Sequence, residues 1–222
     1  MAVRKSQPWL IRLTHWINVP VIAIMGMSGL QILVAYPFFG PQGARYSWMP
    51  LQGLHTPDWL RAGGWLAGAR HLHFAFAWLL IANAMVYVVY LVASSEYRRR
   101  LFWPPRDLVP AAKQTVAYVR ALARRPRIAE PQTGLYNGLQ RAGYTGALAL
   151  GGVLVLSGLA MWKPVQLDWL AWVFGGYDGA RVIHFASLIA LGAFVVGHVV
   201  MVVLHPRTIP LMITGGKPEE HP

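Results

Sequence analysis

Cysteine is absent from all 222 residues. That excludes disulfides, cysteine-ligated iron–sulfur clusters, covalent c-type haem attachment and thiol catalysis. Charge is scarce: 13% of residues are Asp, Glu, Lys or Arg, against about 25% in a soluble domain. Acidic residues are scarcest, eight against twenty basic ones. There is no Gly-rich nucleotide loop and no nucleophile–base pair, and the chain reads as free of repeats and low-complexity segments. What is abundant is apolar: 55% hydrophobic residues, with ten Trp and twenty-two Gly. Trp anchors at membrane interfaces and Gly lets helices pack closely. The net charge of +12 could suggest nucleic acid, but anionic lipid accounts for it more simply beside long apolar runs. An all-α integral membrane protein is expected.

A spanning helix needs about 20 mostly apolar residues. Four stretches qualify, at about 9–35, 71–93, 139–162 and 181–205. None alternates strictly between apolar and polar, so helices are the spanning structure. The first is too long for a signal-peptide core and lacks a cleavage site, so it is expected to be retained. Fifteen basic residues lie at the N-terminus, between the second and third spans, at Arg141 and in the tail. Five lie on the other side: Arg45, Arg61, Arg70, Lys163 and Arg181. The positive-inside rule then places both termini in the cytoplasm.

Two connections exceed what a bundle needs. Residues 36–70, rich in Pro, Gly, Tyr46, Trp48, Trp59 and Trp65, read as an ordered outer loop. Residues about 107–123 read as an interfacial helix on the cytoplasmic side. There Leu108, Val109, Val116 and Val119 alternate with Lys113, Gln114 and Arg120, and Pro126 and Pro131 end the segment. Residues 1–222 are expected to form one domain.

Ionisable residues within spans are costly and mark function. The four stretches hold no carboxylate, which argues against a proton pump or cation transporter, but they do hold histidines. His184 and His198 are fourteen residues apart, so they share nearly one helix face about 21 Å apart along the axis. His73 and His184 each lie three residues inside an arginine at the outer edge, Arg70 and Arg181. His198 lies seven residues from His205, and His15 seven from Pro8. Two level pairs result, His73 with His184 and His15 with His198. Depth alone favours His73 only mildly over His71, whose ring points about 200° away. His205 reads as interfacial, and His55 and His221 as loop and tail residues.

Paired imidazoles at one depth suit a haem iron ligated on both axial positions in a helix bundle. Zinc or copper suits them less, since neither site offers a carboxylate or thiolate. Gly26, Gly29, Gly151, Gly152, Gly158, Gly192 and Gly197 could clear space for the macrocycles or serve ordinary helix packing. Arg12, Arg70 and Arg181 stand where propionates would emerge, or are interfacial arginines.

The strings RLTHWINVPVIAIMGMSGLQI, GARHLHFAFAWLL, LYNGLQRAGY, RVIHFASLIALGAFVVGHVVMVVLHP and LMITGG resemble the bacterial cytochrome b561 and hydrogenase-type cytochrome b superfamily. The resemblance covers nearly the whole chain and is narrowest to cytochrome b subunits of formate dehydrogenase and thiosulfate reductase type. It implies a four-helix bundle binding two haems b and exchanging electrons with membrane quinone, menaquinone or ubiquinone. By that resemblance His15 and His198 ligate the cytoplasmic-side haem iron, and His73 and His184 the outer one. Asn137 and Gln140 stand where the family forms its quinone pocket, where an amide offers a donor to a quinone carbonyl. The alternative for Asn137 is a helix cap.

The resemblance also implies a periplasmic catalytic partner, often a molybdopterin oxidoreductase, docking on loops 36–70 and 163–180 with Asp168 and Asp178. The chain then acts as the electron-transfer subunit of an oxidoreductase complex, with the direction of flow unspecified. Two alternatives are a stand-alone cytochrome reacting with a small oxidant or reductant such as superoxide, and a haem-binding structural or sensory protein.

Overall fold

The computed structural model describes residues 7–41, 44–124, 136–204, 206 and 209–215. Arg4, Lys5, Arg125, Pro126, Arg127, Pro131, His205, Arg207, Lys217 and His221 lie outside the described residues. Among the described residues, four helices are long and apolar enough to cross a membrane: α1 (Trp9–Ala35), α2 (Leu66–Ala93), α5 (Gly138–Trp162) and α7 (Gly176–Leu204). Shorter helices fall between and after them: α3 (Tyr97–Arg100), α4 (Pro104–Arg124), α6 (Asp168–Val173) and α8 (Ile209–Thr214).

The long helices bury few of their side chains and turn large apolar ones outward, among them Val89, Val92, Val196 and Val203. In water such faces would be unstable; in hydrocarbon they cost nothing. The first and third helices match the expected spans to within a residue. The other two begin five residues earlier than expected, so Asp178 falls in the first turn of α7, where a carboxylate complements the helix dipole.

The chain divides into two compact units. One comprises Leu13–Val86 and Leu150–Ala193; the other comprises Met1–Arg12, Tyr87–Ala149 and Phe194–Pro222.

In the first unit all four long helices meet. Asn83 of α2 donates to Thr14 O at 2.9 Å and to Asn18 Oδ1 at 2.8 Å, fastening α1 to α2. The ring of Phe74 on α2 lies 5.6 Å from Trp162 on α5. A small core of Ala160, Leu170, Ala171 and Ala180 joins α5, α6 and α7. In the connection between α1 and α2, Tyr46 N bonds to Phe39 O and Gly53 N to Pro37 O, both 2.9 Å, and Ala62 N bonds to Met27 O of α1. Phe39, 1% exposed, packs 5.1 Å from Phe185.

This unit contains a duplication, contrary to the expectation of no repeat. Gly68–Ala75 reads GARHLHFA and Gly179–Ala186 reads GARVIHFA, while Ser-Gly-Leu occurs at Ser28–Leu30 and Ser157–Leu159. The structure treats the copies alike. Ala69 and Ala180 are both fully buried. A Cβ at Gly68 would fall on the carbonyl oxygen of Gly63, and one at Gly179 on that of Phe174, so only glycine admits both approaches. The repeat escapes notice in one dimension because its connections differ: Ser28 and His73 are 45 residues apart, Ser157 and His184 only 27.

In the second unit α4 opens with Pro104 in its first turn, where the missing N–H costs nothing. Asp107, 2% exposed, accepts from Trp103 N at 2.8 Å, from Arg106 Nη2 at 2.7 Å and from Arg141 Nη1 at 2.8 Å. Hydrogen bonding from Arg106 is the main cause that holds its carboxyl down at about 2 from 3.8, against the opposing effect of burial. Leu139 N bonds to Gln114 Oε1, and Gly138 lies close against Ala111 and Asp107, seating α4 on the start of α5. Leu108, Val109 and Val116 are exposed on the outward face of α4. The helix expected over 107–123 is therefore present over Pro104–Arg124.

Candidate functional site

α2 and α7 bring His73 and His184 together in the first unit. Their ring centroids are 6.3 Å apart, at an interplanar angle of 62°. His71, two residues away, is exposed, so the helix period presents only one of the two rings to α7.

Each ring is braced by the neighbouring first helix of its own copy. Ser28 Oγ lies 3.0 Å from His73 Nδ1, and Ser157 Oγ lies 3.0 Å from His184 Nδ1. Each hydroxyl donates backward within its helix, Ser28 to Ile24 O at 2.7 Å and Ser157 to Val153 O at 2.6 Å. Both serines are fully buried. The next residue in each copy is a glycine: a Cβ at Gly29 would stand 3.4 Å from His73 Cε1, and one at Gly158 3.4 Å from His184 Cε1. Of the seven glycines expected near the site, only these two touch an imidazole. A Cβ at Gly26, Gly151, Gly152, Gly192 or Gly197 would meet nothing within 4 Å.

The pair fits a haem: His73 and His184 would hold its iron, and haem would supply a one-electron couple there. The serine contacts occupy Nδ1 on both rings, leaving Nε2 of each as the nitrogen suited to ligation. The pair is isologous, each copy contributing the same residue.

His15 and His198 belong to different units. His15 lies edge-on to Trp16, with centroids 5.5 Å apart. His198 stacks on Phe194 at 6.0 Å and meets Tyr144 edge-on at 6.3 Å; Tyr144 in turn lies 5.0 Å from Tyr136. Here the repeat diverges. Thirteen residues before Ser28 and Ser157 stand His15 and Tyr144, and fourteen after His73 and His184 stand Tyr87 and His198. His73 and His184 stand at corresponding positions of the repeat, and His15 and His198 do not.

The three arginines have distinct surroundings. Arg181 donates to Tyr36 O at 3.0 Å and Phe38 O at 3.2 Å and lies 5.0 Å over the rings of Tyr36 and Phe39, clasping the outer loop. Arg70 is exposed, 6.0 Å from the Phe74 ring. Arg12 donates to Ile213 O. Asn137 Oδ1 accepts from Gln140 N at 2.8 Å, and Gln140 Oε1 accepts from Asn137 N at 3.1 Å. That reciprocal pair is a capping box opening α5. The cap is thus realised, and both amide oxygens are committed to backbone.

Sequence reasoning missed the serines, Gly68 and Gly179. The signal was present: the two GAR-x-x-HFA strings and two Ser-Gly-Leu strings point to the same four helices.

Four apolar helices carrying a braced imidazole pair define a membrane cytochrome b. The sequence profile of the prokaryotic cytochrome b561 family matches residues 6–215, and the chain belongs to that family. It is a multi-pass, haem-binding membrane protein of electron transfer, and the family binds haem b. A protein of Azospira oryzae named "Putative protein-methionine-sulfoxide reductase subunit YedZ1" is 38% identical over 208 residues, covering 94% of each chain.

Proposed function

We propose that the chain is a di-haem b electron wire linking membrane quinone to a periplasmic oxidoreductase. The observation that carries this reading is the His73–His184 apposition at 6.3 Å with both Nδ1 atoms held by serines. His73 and His184 hold the outer haem iron through Nε2; His15 and His198 hold the cytoplasmic-side one. Haem supplies a one-electron iron couple at each site. The chain's own residues orient the imidazoles, keep water from the irons and carry the sites to different depths.

Quinone, menaquinone or ubiquinone, reacts near the cytoplasmic-side site, beside the opening of α5 at Asn137 and Gln140. Arg12, Arg70 and Arg181 pair with propionates. Both termini are cytoplasmic, in a bacterial inner membrane, and α4 lies on its anionic surface: exposed Leu108, Val109 and Val116 enter the interface while Lys113 and Arg120 meet lipid headgroups.

The periplasmic partner docks on the outer loop and α6. The clasp from Arg181, three residues from His184, seats the outer loop beside the outer site. Exposed Trp48, Trp59, Trp169 and Trp172 supply anchors of the kind that dominate interfaces. The relative's name, a subunit of a protein-methionine-sulfoxide reductase, supports a partner that reduces an oxidised substrate, which sets electron flow from quinol outward. A molybdopterin oxidoreductase is the partner class.

The test is a pyridine haemochrome assay with haem counted per polypeptide, then anaerobic titration with a reduced quinol analogue. Two b-type haems per chain, both reduced by quinol, are expected. One haem, or haem that quinol leaves oxidised, overturns the wire.

A further inference from the structure

The two serines of the repeat hold the imidazoles, and what that hold does to the haem goes beyond the electron-transfer reading. We infer that Ser28 and Ser157 are a matched pair of positioning residues: each fixes its histidine as the Nδ1–H tautomer and thereby sets the potential of the outer haem. The inference rests on the proposed ligation by His73 and His184.

A serine hydroxyl has one proton to donate and oxygen lone pairs to accept with. At Ser28 the proton is directed to Ile24 O at 2.7 Å, with Met25 O at 3.2 Å sharing it. At Ser157 it is directed to Val153 O at 2.6 Å, with Leu154 O at 3.3 Å. A carbonyl only accepts, so these contacts claim the hydroxyl proton. Toward the imidazole, 3.0 Å away, Oγ is then left as an acceptor, and the proton in that contact belongs to Nδ1. A neutral imidazole carries one N–H, so Nε2 of each ring keeps its lone pair for the metal.

Mid-helix serines otherwise back-bond at a small cost to the helix, and Ser28 and Ser157 are completely buried there. Their recurrence in both copies beside a glycine that admits the ring (3.4 Å to Cε1 in each) ties that cost to the histidines.

The consequence is electronic. An Nδ1–H donating to an oxygen raises the basicity of the ligating nitrogen, which favours the ferric over the ferrous state and lowers the midpoint potential. Two symmetric donors act additively on one iron.

The test is spectroelectrochemical titration of the purified holoprotein, in the parent and in S28A, S157A and the double variant, with the second haem as internal control. Each single variant is expected to shift the outer haem's midpoint upward by a similar amount and the double variant by about twice as much, while the inner haem does not move. S28T and S157T, which keep the hydroxyl, are expected to restore the parent midpoint. If an alanine variant loses its haem while the threonine counterpart keeps it at the parent midpoint, the positioning role stands. Loss in both, an unmoved midpoint in either alanine variant, or a downward shift overturns it. A parent protein without haem refutes the electron-transfer reading itself; a haem-loaded parent insensitive to the serines refutes only this inference.

Discussion

Asp107 offers a stability prediction whose size can be worked out. Its carboxylate is 2% exposed and receives the backbone N–H of Trp103 and the guanidinium groups of Arg106 and Arg141. These hold it at about 2 against an ordinary 3.8. A difference of nearly two units corresponds to about 2.5 kcal/mol, at 1.36 kcal/mol per unit. Because the folded-state value is depressed, this stabilisation is fully present above pH 4 and is lost as pH falls from about 4 through about 2. Asp107→Asn keeps the shape and an acceptor for Trp103 N–H but removes the charge. It is expected to lower unfolding stability by about 2 kcal/mol at pH 7, leaving Arg141 without a carboxylate in a mostly buried setting. The assay is denaturant unfolding of parent and variant in detergent at several pH values, because other titrating groups cancel in the difference. The gap is expected to be constant from pH 7 to about 4.5 and to narrow below it. A gap independent of pH down to 3, or one under about 0.5 kcal/mol at neutral pH, refutes the reasoning.

Three further outcomes can be measured. His73→Ala and His184→Ala are each expected to lower the haem content by one per chain while the second haem persists, read by the pyridine haemochrome assay. Gly29→Leu and Gly158→Leu force branched carbons onto rings that a Cβ already approaches at 3.4 Å, so they are expected to expel the same haem, read as haem per polypeptide. Asn137→Ala breaks the capping box and is expected to cost about 1 kcal/mol in unfolding stability, whereas Asn137→Asp, a good N-cap, is expected to cost less.

The sequence by itself determined the membrane setting and the four long apolar helices, and it set His73 and His184 level with each other. Those properties follow from local averages and fixed periods: hydropathy over about 20 residues, the 3.6-residue turn, and the distance of His73 and His184 from arginines at the helix edge. Helix starts were less legible. The extra turn of α2 and of α7 holds Gly68 and Gly179, whose close approach to a preceding carbonyl depends on how the chain enters the helix.

Only the tertiary structure decided between His71 and His73, because a two-residue difference in register is settled by what α7 presents to α2. It alone gave Ser28 and Ser157 their partners. A serine within an apolar helix is indistinguishable from a packing residue until another helix places a ring nitrogen 3.0 Å from it. It also showed that Asn137 caps α5, and it brought to light the duplication. Two copies with connections of different length share little alignment along the chain, yet they converge on the same contacts because each must brace the same imidazole at the same depth.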